Sequence, residues 1–194
     1  SLTSHADVAE SATVAKLIPA LAQLASGIGD AQVRNRGTIG GSIANADPAA
    51  DYPAAVLALN ATIVTDRREI AADSFFTGMF ETALEEGELI ASIRFPRVER
   101  AAYAKFPNPA SRYAMVGVFV TVNAGSVRVA VTGAAASVFR LVAAEQALAR
   151  DLRPETITGL EPNPADLLTD MHGSAEYRAN LVGVMARKAV SALL

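Results

Sequence analysis

The densest group of residues able to do chemistry is Arg36-Gly-Thr-Ile-Gly-Gly-Ser-Ile-Ala44. Glycines let a backbone turn through positive φ and let a ligand approach its N–H groups with no Cβ in the way. Several such N–H groups in succession make a nest for an anion, strengthened if a helix begins behind them. Thr38 and Ser42 add hydroxyl donors at the two ends of the turn. The motif lacks the Gly-Lys-Ser/Thr of a Walker A loop and the G-x-G-x-x-G dinucleotide fingerprint, and by itself a Gly-Gly between small polar residues is most often a plain turn. Asp51, nine residues beyond Ser42, could accept hydrogen bonds from sugar or polyol hydroxyls. Taken by itself, it reads first as a cap for the helix entered through Pro53. Lys105 stands in Tyr103-Ala-Lys-Phe-Pro-Asn-Pro109, where two prolines predict a loop and a solvated ammonium. His5 and His172 read as a helix-end and a loop residue. No Ser-His-Asp or paired-carboxylate constellation follows from these spacings.

Composition narrows the chemistry further. The 194 residues are 51% hydrophobic and 19% charged, with 17 Lys+Arg against 20 Asp+Glu. This suffices for a buried core and is far from the composition of disorder. A net charge of −3 gives no footprint for nucleic acid or an anionic membrane. The absence of Cys excludes disulfides, thiolate nucleophiles, Cys-held zinc and cysteine-ligated iron–sulfur clusters from this chain. Two histidines are too few for a multi-histidine metal site, so redox chemistry here would need an organic cofactor. No apolar run of about 18 residues suggests a transmembrane helix. The opening Ser1-Leu-Thr-Ser-His5 has neither an initiator Met nor the charged and apolar regions of a signal peptide, which points to a fragment or a processed product.

The elements that must position these groups follow from periodicity. Val8, Val14, Leu17, Ile18, Leu21 and Leu24 predict helix over residues 7–26, begun by Ser4 and Asp7, split at Pro19 and stopped by Gly27 and Gly29. Residues 30–53 have no clean period and read as a glycine-rich loop. A short helix follows from Pro53 to Leu59. Ala61–Thr65 and Glu69–Ala71 read as a hairpin turning at Asp66-Arg-Arg68. Residues 88–95 alternate, predicting a strand with Leu89, Ala91, Ile93 and Phe95 on one face and Pro96 at its end. Met115–Val122 and Ser126–Thr132 form a second hairpin through Asn123-Ala-Gly125. Residues 139–150 and 177–193 read as helices, the latter with Arg178, Arg187 and Lys188 towards solvent. The class is α+β in two small lobes, residues 1–98 and 102–194.

The run from Ile28 to Asp51, with Arg34-Asn-Arg-Gly-Thr-Ile-Gly-Gly-Ser42 at its centre, resembles the FAD-binding segment of the molybdenum hydroxylases. That family includes the medium subunits of aerobic carbon monoxide dehydrogenases and the flavin domain of xanthine dehydrogenase. The likeness continues through Phe75-Phe-Thr-Gly78, Glu86-Gly-Glu-Leu-Ile90, Tyr103-Ala-Lys105, Ala175-Glu-Tyr-Arg178 and Val184-Met-Ala-Arg-Lys-Ala189, and covers essentially the whole chain in order. It implies the C-terminal part of a PCMH-type FAD-binding domain, followed by a small α+β domain of the carbon monoxide dehydrogenase flavoprotein C-terminal type.

By resemblance, Thr38, Ile39, Gly40, Gly41 and Ser42 form the central flavin loop, on the pyrophosphate and ring, and Asp51 is its acidic FAD contact. Ile28 and Ile90 are hydrophobic positions near the flavin. Lys105 is a basic residue near the pyrimidine edge, where a cation favours the reduced anion. Tyr113 is an aromatic beside the isoalloxazine, packing on its face. The implied function is an oxidoreductase subunit without catalytic residues or a metal of its own. It would pass electrons through FAD to an external acceptor: quinone, oxygen or NAD. Molybdopterin would reside on a large subunit and [2Fe-2S] clusters on a small one. The implied location is cytoplasmic, with the complex able to sit at the inner face of the membrane. The family's chains begin with a further lobe carrying an Ala-Gly-Gly phosphate loop, which nothing here matches. An assembly module that holds no FAD by itself is therefore the alternative, and an independent flavin oxidoreductase ranks below both.

Overall fold

The computed structural model describes residues 1–194. Ser4 and Asp7 start the first helix by exchanging hydrogen bonds. The Ser4 hydroxyl accepts the Asp7 N–H at 3.0 Å and the Asp7 carboxylate accepts the Ser4 N–H at 3.2 Å, a capping box that opens α1 (His5–Glu10). The predicted helix over residues 7–26 resolves into three, α1, α2 (Ala12–Leu17) and α3 (Pro19–Ser26). Pro19 makes the expected break at the first turn of α3. The other break falls at Ser11, whose hydroxyl accepts the Val14 N–H and caps α2.

The segment read as a glycine loop contains two helices, α4 (Ala31–Arg36) and α5 (Ile39–Asn45). Each is begun by a cap: Asp30 accepts the Val33 N–H at 2.9 Å and Thr38 accepts the Gly41 N–H at 3.1 Å. Two turns are too short to show a period, and the caps with tertiary packing outweigh the poor propensity of glycine. The next helix, α6 (Tyr52–Ala58), is buried at all seven positions, as befits a helix apolar on every side.

A three-stranded antiparallel sheet in the order β2-β1-β5 follows, from β1 (Thr62–Thr65), β2 (Glu69–Ala71) and β5 (Ile90–Arg94). The small pair β3 (Phe76–Gly78) and β4 (Glu81–Thr82) lies between β2 and β5 in sequence. The first hairpin is as predicted. The predicted face of residues 88–95 is reversed at its start, with Leu89 68% exposed and Ile90 buried. The cause is a register shift: Val64 pairs with Ser92, but Thr65 pairs with Ile90, leaving Ala91 unpaired.

The second sheet has the order β6-β7-β8-β9, with β6 (Arg100–Pro107), β7 (Ala114–Asn123), β8 (Ser126–Thr132) and β9 (Phe139–Arg140). Lys105 therefore lies inside a strand instead of a loop, because the prolines end the pairing only at Pro107. Residues 139 and 140 are strand, and the helix predicted from them is the shorter α7 (Val142–Leu148). Ser174 caps the last helix, α8 (Ala175–Ser191). Arg178 on it is buried instead of solvent-facing. Its guanidinium donates to the Met115 and Gly133 carbonyls, each at 2.8 Å, and pairs with Asp170 at 2.6 Å. Those carbonyls require donors.

The central strand β7 is buried on both faces. Val116, Val118, Val120 and Val122 join a core with Leu148 of α7 and Val182 and Met185 of α8. Phe119, on the opposite face, joins the core built around α6. That second face also carries polar groups aimed at the α6 segment. The buried Thr132 hydroxyl reaches the Pro48 and Ala50 carbonyls at 3.0 and 2.6 Å. Thr132→Val preserves shape but removes this donor, so it should lower stability by about 1–2 kcal/mol. A thermal melt should show Tm falling by roughly 2–8 °C. An unchanged Tm would show that these bonds do not hold the segment.

Candidate functional site

One face of α5 forms a wall of a cleft. Thr38, Gly41, Ser42 and Asn45 share that face by helical spacing, and all four line a cavity of about 460 Å³, a size ordinary for small-molecule sites. Ile28, Gly29 and Val33 form a second wall, Ser111, Arg112 and Tyr113 a third, and Ala50 and Asp51 lie at the base. Arg36, Arg112 and Asp47 also line it.

The N–H groups of the glycine motif do not form the expected open nest. Ile39 N–H donates to Thr3 O and Gly40 N–H to Ser1 O, each at 3.0 Å. Gly41 N–H goes to the Thr38 hydroxyl and Ser42 N–H to Thr38 O at 3.0 Å. The reason is the opening segment, which bridges Thr38 through Ser4 and supplies carbonyls to the first turn. What remains for a ligand is space and side-chain donors. A Cβ on Gly41 would meet only Thr38 Oγ1 within 4 Å; a Cβ on Gly40 would collide with Ser1. The lining combines Arg36 and Arg112 with Asp47 and Asp51, the hydroxyl residues Thr38 and Ser42, a glycine that permits close contact, and the apolar surface of Ile28 and Tyr113.

At the base, Asp51 makes no side-chain cap for α6. Its carboxylate, 4% exposed, pairs with Lys105 at 2.9 Å and accepts the Tyr103 hydroxyl at 2.5 Å. Burial pushes the Asp51 carboxyl up, while the Lys105 charge and the Tyr103 hydrogen bond pull it down. The Tyr103 hydroxyl is held well above its ordinary range by burial and by the neighbouring carboxylate. The Lys105 ammonium also donates to Gly27 O at 2.9 Å and Arg112 O at 3.0 Å. All three of its hydrogens are engaged.

Six of the ten residues carried by the resemblance line the cavity: Ile28, Thr38, Gly41, Ser42, Asp51 and Tyr113. Lys105 stands behind it, in contact with Asp51. Ile39 and Ile90 lie in the first core, and Gly40 is packed against Ser1. The sequence reading missed Arg36, Asn45, Arg112 and His5 as lining residues. Asn45 could have been found from its helical spacing to Thr38 and Ser42, had α5 been recognised. His5 is buried beneath the cleft, and burial lowers its pKa. No helix is long and apolar enough to cross a membrane.

Residues 1–98 match the family described as the FAD binding domain in molybdopterin dehydrogenase. Residues 101–193 match the carbon monoxide dehydrogenase flavoprotein C-terminal domain. The chain is 35% identical to the nicotine 6-hydroxylase medium subunit of Paenarthrobacter nicotinovorans, over 97% of this chain and 72% of that protein. It is 32% identical to the carbon monoxide dehydrogenase medium chain of Hydrogenophaga pseudoflava, over 99% and 72%. The solved carbon monoxide dehydrogenase of Oligotropha carboxidovorans contains a chain that superposes with a TM-score of 0.87 at 30% identity, covering 98% of this chain and 72% of that one.

Replacing Lys105 by Met would leave the Asp51 carboxylate buried and unpaired. K105M should lose about 3–5 kcal/mol at neutral pH. The Asp51 pKa, already raised by burial, would rise further, so the folded state would hold a proton that the unfolded chain releases. Stability from that protonation is present at acid pH and lost as pH rises through the folded pKa. The deficit of K105M should therefore shrink as pH falls. Urea melts of both proteins at pH 7 and pH 5 check this, and a deficit that grows with acid would refute it.

Proposed function

Because the chain belongs to the FAD-binding medium subunits of the molybdenum hydroxylases, we propose that it is the electron relay of such a complex and that the cleft beside α5 is its share of the FAD site. FAD, when bound, supplies a redox centre that receives electrons and delivers them to an external acceptor. We assign substrate oxidation to a molybdenum-cofactor large subunit and the feeding of electrons to an iron–sulfur small subunit. Quinone, oxygen or NAD is the acceptor class.

The residues of this chain divide the binding task. Arg36, and Arg112 through the guanidinium hydrogens not bound to Gly29 O, offer donors suited to phosphate oxygens, and the Thr38 and Ser42 hydroxyls add neutral donors. Gly41 permits the backbone of α5 to lie against the ligand. Asp51, held beside Lys105, accepts from cofactor hydroxyls. Ile28 and Tyr113 provide apolar contact for the ring. Ile39 and Ile90 anchor α5 and β5 in the core, and Lys105 acts on the site through Asp51.

The observation that carries this reading is the coincidence of the motif's side chains with one cleft that has cationic, hydroxyl and apolar walls. Gly41→Val tests it, because its branched side chain would displace the Thr38 hydroxyl and fill the cleft. The variant assembled with its partners should keep its fold by far-UV circular dichroism. Its flavin content, measured by visible absorbance and by FAD released on denaturation, should fall at least about tenfold, equivalent to about 1.4 kcal/mol. Wild-type flavin content in G41V would refute the placement. A wild-type complex with no flavin at all would leave the chain as an assembly module.

A further inference from the structure

We propose that Tyr103 is a positioning residue of the flavin site, whose hydroxyl fixes the Asp51 carboxylate so that one oxygen stays available to the cofactor. This rests on the placement of FAD in the cleft beside α5.

The hydrogen bonding is unequal across the carboxylate. Oδ1 accepts the Tyr103 hydroxyl at 2.5 Å and also lies 2.9 Å from the Lys105 ammonium. Oδ2 has only the longer Lys105 contact, at 3.2 Å, and so keeps acceptor capacity for another donor. Lys105 supplies the charge, but its ammonium is shared with the Gly27 and Arg112 carbonyls. Tyr103 is the donor dedicated to Asp51, and its angle and reach are set by a rigid ring.

The sheet is built around that hydroxyl. Tyr103 and Lys105 are two residues apart on β6 and share a face. Lys105 pairs with Gly117, and Tyr103 with Phe119, on β7. Gly117 stands in the middle of a strand buried on both faces, where glycine weakens pairing and leaves no side chain to pack. A Cβ at Gly117 would collide with the Tyr103 hydroxyl oxygen. The ring also packs on Phe119, at 5.9 Å between centroids; a phenylalanine would satisfy that contact equally. The missing Cβ at Gly117 makes room for the hydroxyl, and the hydroxyl bonds to Asp51.

The test compares Y103F, D51N and the double variant in the flavin-loaded complex. Y103F keeps the ring and its packing. Its FAD dissociation constant should rise by about tenfold, about 1.4 kcal/mol. The visible circular dichroism of the flavin that remains bound should change, because it reports the surroundings of the ring, which a purely structural role would leave alone. D51N should also lose flavin, and adding Y103F to D51N should cost little more, since both act through one carboxylate. Gly117→Ala, which keeps the hydroxyl but pushes it away, should weaken FAD binding in the same direction and serves if Y103F does not assemble. If D51N loses flavin while Y103F and G117A keep wild-type affinity and dichroism, Tyr103 has no positioning role. If D51N itself keeps wild-type affinity, the placement of FAD beside Asp51 fails, and the role of Tyr103 falls with it.

Discussion

The burial of α6 is the constraint from which the rest of the site follows. A helix with every residue buried has no water to satisfy its ends, so other parts of the protein must supply partners. They come from one face of the second sheet. At the C-terminal end, Arg128 donates to Leu57 O at 2.8 Å and the Thr121 hydroxyl to Ala58 O at 2.9 Å. Both act on carbonyls where positive charge is favourable. At the start, Thr132 holds the carbonyls of Pro48 and Ala50, and Lys105 with Tyr103 holds Asp51. In the register of β6, β7 and β8, Lys105, Gly117 and Thr132 lie in one row, and Thr121 and Arg128 in another. The sheet thus acts as a spaced set of donors matched to one helix. A buried ion pair adds little net stability once desolvation is counted; this one fixes how the two halves of the chain meet.

That fixed meeting also shapes the cleft. The Lys105 ammonium ties Gly27, next to the wall residue Ile28, to Asp51 at the base and Arg112 of the facing wall. Arg112 has a left-handed backbone, with φ of 61°, a conformation that costs a non-glycine residue energy and persists where surroundings enforce it. Its carbonyl accepts from Lys105 and its guanidinium reaches back to Gly29 O at 3.2 Å. Within the same wall, Arg34 donates to the carbonyls of Ile28 and Gly29, at 3.0 and 3.1 Å. The two walls therefore brace each other through charged side chains bound to backbone carbonyls, and the cavity between them is held open by cross-links instead of by apolar filling.

The parts of this arrangement legible in the sequence are those set by neighbours along the chain. Ser4 and Asp7 announce the first helix, Asp66-Arg-Arg68 the first hairpin and Asn123-Ala-Gly125 the second, because caps and turns are local chemistry. The cofactor class was legible through a resemblance centred on Thr38–Ser42, not through propensity. What escaped was set by residues far away in sequence. Asp51 reads as a helix cap until Tyr103 and Lys105, over 50 positions later, arrive beside it. Lys105 reads as a solvated loop lysine, since nothing local reveals that β7 will pair with it. Ile90 and Leu89 exchange faces because of one unpaired residue in β5, which a period of two cannot reveal. Arg178 reads as solvent-facing until two carbonyls at the end of the second hairpin require its guanidinium.

The paired glycines bring the local and distant causes together. Neither has positive φ, so neither is required by turn geometry, and in a helix each costs about 1 kcal/mol relative to alanine. Their reasons differ. Gly40 faces inward, where a Cβ would strike Ser1, and its absence lets the opening segment lie against α5 and take up the first N–H groups. Gly41 faces the cleft, where its missing side chain leaves room beside Thr38 and Ser42. A sequence that accepts two poor helix formers in a seven-residue helix conflicts with its own local preference, and such conflicts mark functional positions. One glycine seats the helix and the other opens its surface, so the motif works as the wall of a binding cleft, with the positive charge coming from Arg36 and Arg112.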